Sequence, residues 1–82
     1  MEREQLLNGL KAFIQDEVLG GQGQDIDGDT PLWEWGLIDS FSLFSILAHV
    51  EKAHGVTIPP GDVKAEDFTN LQTIADLVLR AR

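Results

Sequence analysis

Asp39-Ser40-Phe41 places one hydroxyl directly after a carboxylate and at the head of an apolar run that repeats at helical spacing. A helix N-terminus leaves about four backbone N–H groups unpaired and carries roughly half a positive charge, so an anion esterified to Ser40 would meet donors and a favourable dipole. The pair is suited to carrying a phosphate. It also has a plain structural use, because Asp and Ser are preferred N-caps and such a pair often marks only the start of a helix. A serine nucleophile would need a histidine within reach and would normally sit in Gly-x-Ser-x-Gly, whereas Ile38-Asp39-Ser40-Phe41-Ser42 has neither glycine. His49 and His54 are five residues apart, about 140° around a helix, so they are not expected to share a zinc ion. Asp25, Asp27 and Asp29 have the spacing of the first three ligands of a calcium loop. Thr30 and Gly36, however, stand where that loop needs its Gly and its bidentate Glu. A solvated acidic loop is expected there, with Asp29 capping a turn at Thr30-Pro31.

The chain that must position Ser40 has 82 residues, room for one small domain over 1–82 and none for a separate catalytic domain. At 43% hydrophobic and 24% charged it is too apolar for disorder. The absence of cysteine excludes disulfides, thiolate metal sites and cysteine catalysis, so any thiol chemistry must arrive on a bound group. Fourteen acidic against six basic residues give a net charge of −8, which repels nucleic acid and anionic membranes and favours partners rich in Arg and Lys. The polar start Met1-Glu2-Arg3-Glu4-Gln5 is neither a signal peptide nor a membrane span, and a cytoplasmic monomer is the expectation.

Leu6, Leu7, Leu10, Phe13, Ile14 and Val18 fall on one face of a helix running from Glu2 to Leu19, ended by Gly20 and Gly21. A loop of about twenty residues follows, longer than a small domain usually leaves unpinned. Ile26, Leu32, Trp33, Trp35, Leu37 and Ile38 are the available anchors. Ser40 to His54 is the second helix, closed by Gly55, with Leu43, Ile46, Leu47 and Val50 as its core stripe. Phe41, Phe44 and Ala48 form a second apolar stripe that one-sided packing would leave to solvent or to a partner. Val56-Thr57-Ile58 reads as an extended link, Asp62 to Asp67 as a short helix with Val63 and Phe68 inward, and Thr69-Asn70-Leu71-Gln72 as a capping box. That box precedes a last helix running to about Arg80, with Leu71, Ile74, Leu77, Val78 and Ala81 at helical spacing. The sum is all-α: an irregular four-helix bundle of three main helices and one short one, with a long first loop.

Gly36, Leu37, Asp39 and Ser40, followed by an apolar residue, resemble the phosphopantetheine-attachment motif of acyl and peptidyl carrier proteins, and element order and acidity extend the resemblance over nearly the whole chain. It implies a carrier rather than an enzyme, with 4′-phosphopantetheine attached to Ser40, Asp39 beside it, and a thioester cargo on the terminal thiol. It also implies as partners a phosphopantetheinyl transferase, an adenylating ligase, and tailoring or condensing enzymes. Fatty-acid carriers typically have Leu after the serine and a run of acids on the second helix. This chain has Phe41, and Glu51 alone is acidic between Phe41 and His54. Thr30-Pro31-Leu32-Trp33-Glu34-Trp35-Gly36 is similar instead to the approach in free-standing peptidyl carrier proteins of natural-product pathways, including those carrying prolyl and pyrrolyl groups. Gly36 to Phe41 is also similar to the D-alanyl carrier of cell-wall modification. A stand-alone aminoacyl or acyl carrier of nonribosomal-peptide type is the favoured reading. A polyketide, fatty-acid or D-alanyl carrier is the alternative, and a small acidic interaction module without a prosthetic group is the reading of another class.

Overall fold

The computed structural model describes residues 2–21 and 26–82. Helix α1 spans Arg3–Phe13 and buries Leu6 and Leu10. Its last turn is wider than the sequence pattern implies, because Ile14–Val18 is π-helical and buries Ile14. The Leu19 amide donates to the carbonyl of Ile14 at 2.8 Å, and Gly21 reaches back to Gln15, also at 2.8 Å. Gly20 and Gly21 close this end with φ of 65° and 73°, which glycine adopts without steric cost.

Helix α2 runs from Ser40 to His54 and is closed by Gly55 at φ 70°. Ile46, Leu47 and Val50 are buried and Leu43 half-buried, so the expected core stripe faces inward. Phe41 is 81% exposed, Phe44 55%, and Ala48 is exposed as well, so the second stripe faces solvent. After α2, Val56 and Ile58 enter the core from an extended link. The short helix expected over 62–67 is instead two 3-10 turns, Pro60–Asp62 and Ala65–Phe68. Pro60, which has no N–H to donate, starts the first turn. The Asp67 carboxylate starts the second by accepting the Lys64 amide at 2.9 Å. Phe68 is fully buried and Val63 partly so.

Helix α3 covers Leu71–Ala81. Leu71, Ile74, Leu77 and Val78 are buried as expected, joined by Ala75, while Ala81 at the frayed end is exposed. Its cap lies one residue later than the sequence pattern suggests. Thr69 is helical at φ −60°, and its hydroxyl donates to the Glu66 carbonyl, so it completes the 3-10 turn. Asn70 is extended and exchanges hydrogen bonds with Thr73 at 2.9 and 3.1 Å, a reciprocal capping box. Arg80 pairs with Asp67 at 3.3 Å. Arg3 ties α1 to α3 through Asp76 at 2.6 Å and through the backbone and side-chain oxygens of Gln72.

The long loop is pinned by Ile26, Leu32 and Ile38, all buried, with Leu37 half-buried. Trp33 and Trp35 are not anchors; they are 38% and 57% exposed. The reason is local: Trp35 donates to the Pro31 carbonyl, Gly36 to Trp33 and Leu37 to Leu32, so the chain makes one closed turn whose inward position is Leu32. Across it, Leu32 donates to the Thr69 carbonyl at 2.8 Å and Gln72 to the Gly28 carbonyl at 3.2 Å, fastening loop to α3. The result is an irregular all-α bundle, without a strand among the described residues and without a described helix long and apolar enough to cross a membrane.

The two faces of α2 should separate in chemical denaturation. Ile46→Ala, fully buried, is expected to cost about 2–5 kcal/mol, and Phe44→Ala well under the roughly 3–5 kcal/mol of a core Phe→Ala. Equal losses at the two positions would mean that Phe44 is covered.

Candidate functional site

Ser40 is the first residue of α2 and is exposed; among the described residues no hydrogen bond engages its hydroxyl. The cap is Asp39, extended at φ −137°, whose carboxylate accepts the Ser42 amide at 2.9 Å and the Ser42 hydroxyl at 3.1 Å. The carbonyl of Asp39 accepts from Leu43 at 2.9 Å. The two residues thus divide the roles that the sequence left open: Asp39 caps, and Ser40 stands free one position inside. The amides of Ser40 and Phe41 have no intrahelical partners at the start of the helix, and the Phe41 amide also acts on the Asp39 carboxylate. An esterified phosphate there meets donors and the positive end of the helix dipole, so these residues fit such a group.

What aims Ser40 outward is the turn before it. Gly36 has φ 71°, and nothing lies within 4 Å of where a Cβ would stand, so glycine is required by backbone conformation and not by crowding. The left-handed residue lets Leu37 and Ile38 fold back, Ile38 into the core, before Asp39 begins the helix.

The Asp39 carboxyl is held below the ordinary aspartate value of 3.8, first by the Ser42 backbone N–H and then by the Ser42 hydroxyl. Asp27 is lowered in the same way, first by the Asp29 amide and then by the Thr30 hydroxyl. Asp27 therefore caps the turn before Pro31, accepting from Asp29 N–H at 2.9 Å and from Thr30 Oγ1 at 3.2 Å; the expected cap, Asp29, does not. Asp25, the first member of the acidic triplet, lies outside the described residues. His49 stacks on Phe13 with ring centroids 4.2 Å apart, and His54 meets it edge-on at 6.4 Å, nearer than their helical phase suggested. Burial, then the neighbouring His54 and Lys52 charges, lower the His49 pKa from the ordinary 6.5.

Phe13 and Val18, which the sequence placed on the apolar face of the first helix, and Glu17, which it did not single out, line a groove of about 250 Å³ with Phe41, Ser42 and Ser45. Their approach depends on the π turn, for which no signal stands in the residue pattern.

Comparison with known proteins bears on this geometry. The family described as "Phosphopantetheine attachment site" matches residues 14–79. The chain is 33% identical over 75 residues to the acyl carrier protein of Arthrobacter sp. (strain FB24), covering 92% of this chain and 85% of that one. It is 26% identical over 69 residues to the probable acyl carrier protein PigG of Serratia sp. (strain ATCC 39006), covering 84% and 79%. Among solved structures, a chain in "Crystal structure of FAD-dependent dehydrogenase" superposes with a TM-score of 0.75 at 39% identity, covering 84% of this chain and 97% of that one.

Asp39→Ala should lower the melting temperature at neutral pH. Because the folded carboxyl is shifted below 3.8, its contribution is complete above that value and is lost as pH falls through the lowered folded value. The difference between variant and wild type should therefore close in strong acid. A gap that persists there would remove the carboxylate from the cap.

Proposed function

Because this chain belongs to the acyl carrier protein family, whose members are carriers rather than enzymes and hold a covalent 4′-phosphopantetheine, we propose that Ser40 is the attachment point and that the cargo is an aminoacyl group of secondary metabolism. The observation that carries the attachment is the free, exposed hydroxyl of Ser40 at the first position of α2, with Asp39 taking the capping role. The bound arm supplies a thiol that holds the cargo as a thioester. The chain's own residues hold the phosphate at the helix start and leave the serine accessible.

Two features support an aminoacyl carrier over a fatty-acid one. The exposed stripe Phe41, Phe44 and Ala48 beside Ser40 has no carboxylate between Ser40 and Val50, so a partner reads it by apolar burial and shape rather than through a basic patch. On this reading an adenylating ligase loads the carrier. The second feature is the structural relative, a chain in a crystal of an FAD-dependent dehydrogenase. The likeness to a chain of that crystal supports a cargo that is oxidised while tethered. On that reading the thioester would acidify the α-carbon of the cargo, and a partner's flavin would supply the two-electron oxidant.

Intact-protein mass spectrometry tests the attachment. A phosphopantetheinyl transferase with coenzyme A should add one arm to the wild type and none to Ser40→Ala; modification at Ser42 or Ser45 would overturn the assignment. With an adenylating ligase, Phe44→Ala should load more slowly by the equivalent of about 1–3 kcal/mol of contact.

A separate assay tests the redox partner. The aminoacyl-loaded carrier, mixed with the FAD-dependent dehydrogenase of the related crystal, should bleach the flavin and lose two hydrogens from the cargo mass. Bleaching by the free amino acid, or none with any loaded amino acid, would count against tethered oxidation.

A further inference from the structure

The carboxylate missing from the front of α2 comes from the end of α1. Between Ser40 and Val50 there is none, yet Glu17 reaches the groove of about 250 Å³ that Phe13 and Val18 form with Phe41, Ser42 and Ser45. Glu17 belongs to the π-helical segment Ile14–Val18 and is exposed, and no cation pairs with it among the described residues. Phe41 and Ser42 directly follow Ser40 in the chain.

The walls select what fits there. The volume is below the roughly 300–1,000 Å³ of small-molecule pockets and suits one inserted side chain. Its single carboxylate repels an anion and favours a cation. Among the described residues there is no group of three metal-ligating side chains, so a bare metal ion would lack ligands. A lysine ammonium is strongly hydrated and gains little from two phenyl rings. A guanidinium is weakly hydrated, stacks on aromatic faces and brings five N–H donors. Phe13 is held ready by its stack on His49 at 4.2 Å, and Phe41 is exposed. The Ser42 hydroxyl gives its proton to Asp39 and so keeps lone pairs to accept a donor. A second copy of this chain is a poor source of the cation. It brings a further charge of −8, and two of its three arginines, Arg3 and Arg80, are held by Asp76 and Asp67.

A transferase must bring its active site to the Ser40 hydroxyl itself, whereas enzymes that act on the cargo work at the far end of the arm. It also binds coenzyme A, whose phosphates call for basic side chains around that same active site. We propose that the groove at the π turn is the seat of an arginine side chain of the phosphopantetheinyl transferase, its guanidinium paired with Glu17 and stacked on Phe13 and Phe41. The end of α1 thereby supplies the charge that orients the enzyme, and α2 supplies the apolar contact. The choice of enzyme rests on Ser40 being the attachment point.

Modification kinetics read by intact-protein mass spectrometry test the seat, with coenzyme A saturating and the carrier varied. Glu17→Gln should raise KM for the carrier about three- to tenfold, leave kcat within about twofold, and flatten the fall of kcat/KM with added NaCl. Glu51→Gln removes the same charge from an exposed position of α2 outside the groove and should leave KM near the wild-type value. Ser45→Leu keeps Glu17 but fills the groove, and should raise KM as Glu17→Gln does, with circular dichroism confirming that each variant is folded. A double-mutant cycle identifies the occupant. One Arg→Gln change in the transferase should raise KM with the wild-type carrier and have almost no further effect with Glu17→Gln. Coupling to a transferase lysine, or to no residue, overturns the arginine seat, as do equal losses from Glu17→Gln and Glu51→Gln. An arm added at Ser40 with KM unchanged in Glu17→Gln overturns the seat alone, whereas a wild type that accepts no arm overturns the attachment reading with it.

Discussion

The position of the serine depends on two backbone hydrogen bonds that cross the molecule: Leu32 N–H to the Thr69 carbonyl and Gln72 N–H to the Gly28 carbonyl. A loop of this length would otherwise have many conformations, since ordering each residue costs roughly 1–2 kcal/mol of backbone entropy. The two bonds give loop amides and carbonyls partners at the first turn of α3, and burial of Ile26, Leu32 and Ile38 adds the apolar gain that holds them there. With Leu32 fixed, the closed turn to Gly36 and the left-handed step at that residue leave one direction for the chain, and Ser40 begins α2 facing outward.

Much of this was legible in the residues. The bounds of α2, its core stripe and its Gly55 stop were readable because each is a local signal: an Asp cap, a 3.6-residue repeat and a glycine. The motif around Ser40 was readable for the same reason. What escaped depends on competition between neighbours. Thr69 and Asn70 can each cap a helix, and the choice fell to Asn70 because the Thr69 hydroxyl is taken by the Glu66 carbonyl. Trp33 and Trp35 looked like anchors by size, but a turn closed on its own backbone has one inward position, which Leu32 holds. The π turn at Ile14–Val18 shifts the hydrogen-bond register by one residue without changing which residues are apolar, so hydrophobic periodicity is blind to it.

Charge is distributed in keeping with this geometry. Eight of the fourteen carboxylates precede Pro31 or stand just after it, at Glu34, and between Ser40 and Val50 there are none. The net charge of −8 keeps copies of the chain apart at long range, while the stripe Phe41, Phe44 and Ala48 on α2 carries no charge. A partner attracted by the whole molecule can thus dock on that stripe through apolar side chains, which avoids burying unpaired charge there.

The exposure of Phe41 and Phe44 follows from the same constraint that places Ser40. Helix α2 is apolar on two sides, and burial falls on whichever side its neighbours cover. The long loop does not cover the phenylalanines: its Ile26, Leu32 and Ile38 are spent on the core, and its backbone is tied to the start of α3 at Gly28 and Leu32. On the side facing α1, the small side chains of Gly9, Ala12, Ser45 and Ala48 leave an open groove beside the Phe13–His49 stack. Pinning one loop to α3 therefore has two results at once: a serine presented at a helix start, and an apolar surface left uncovered around it.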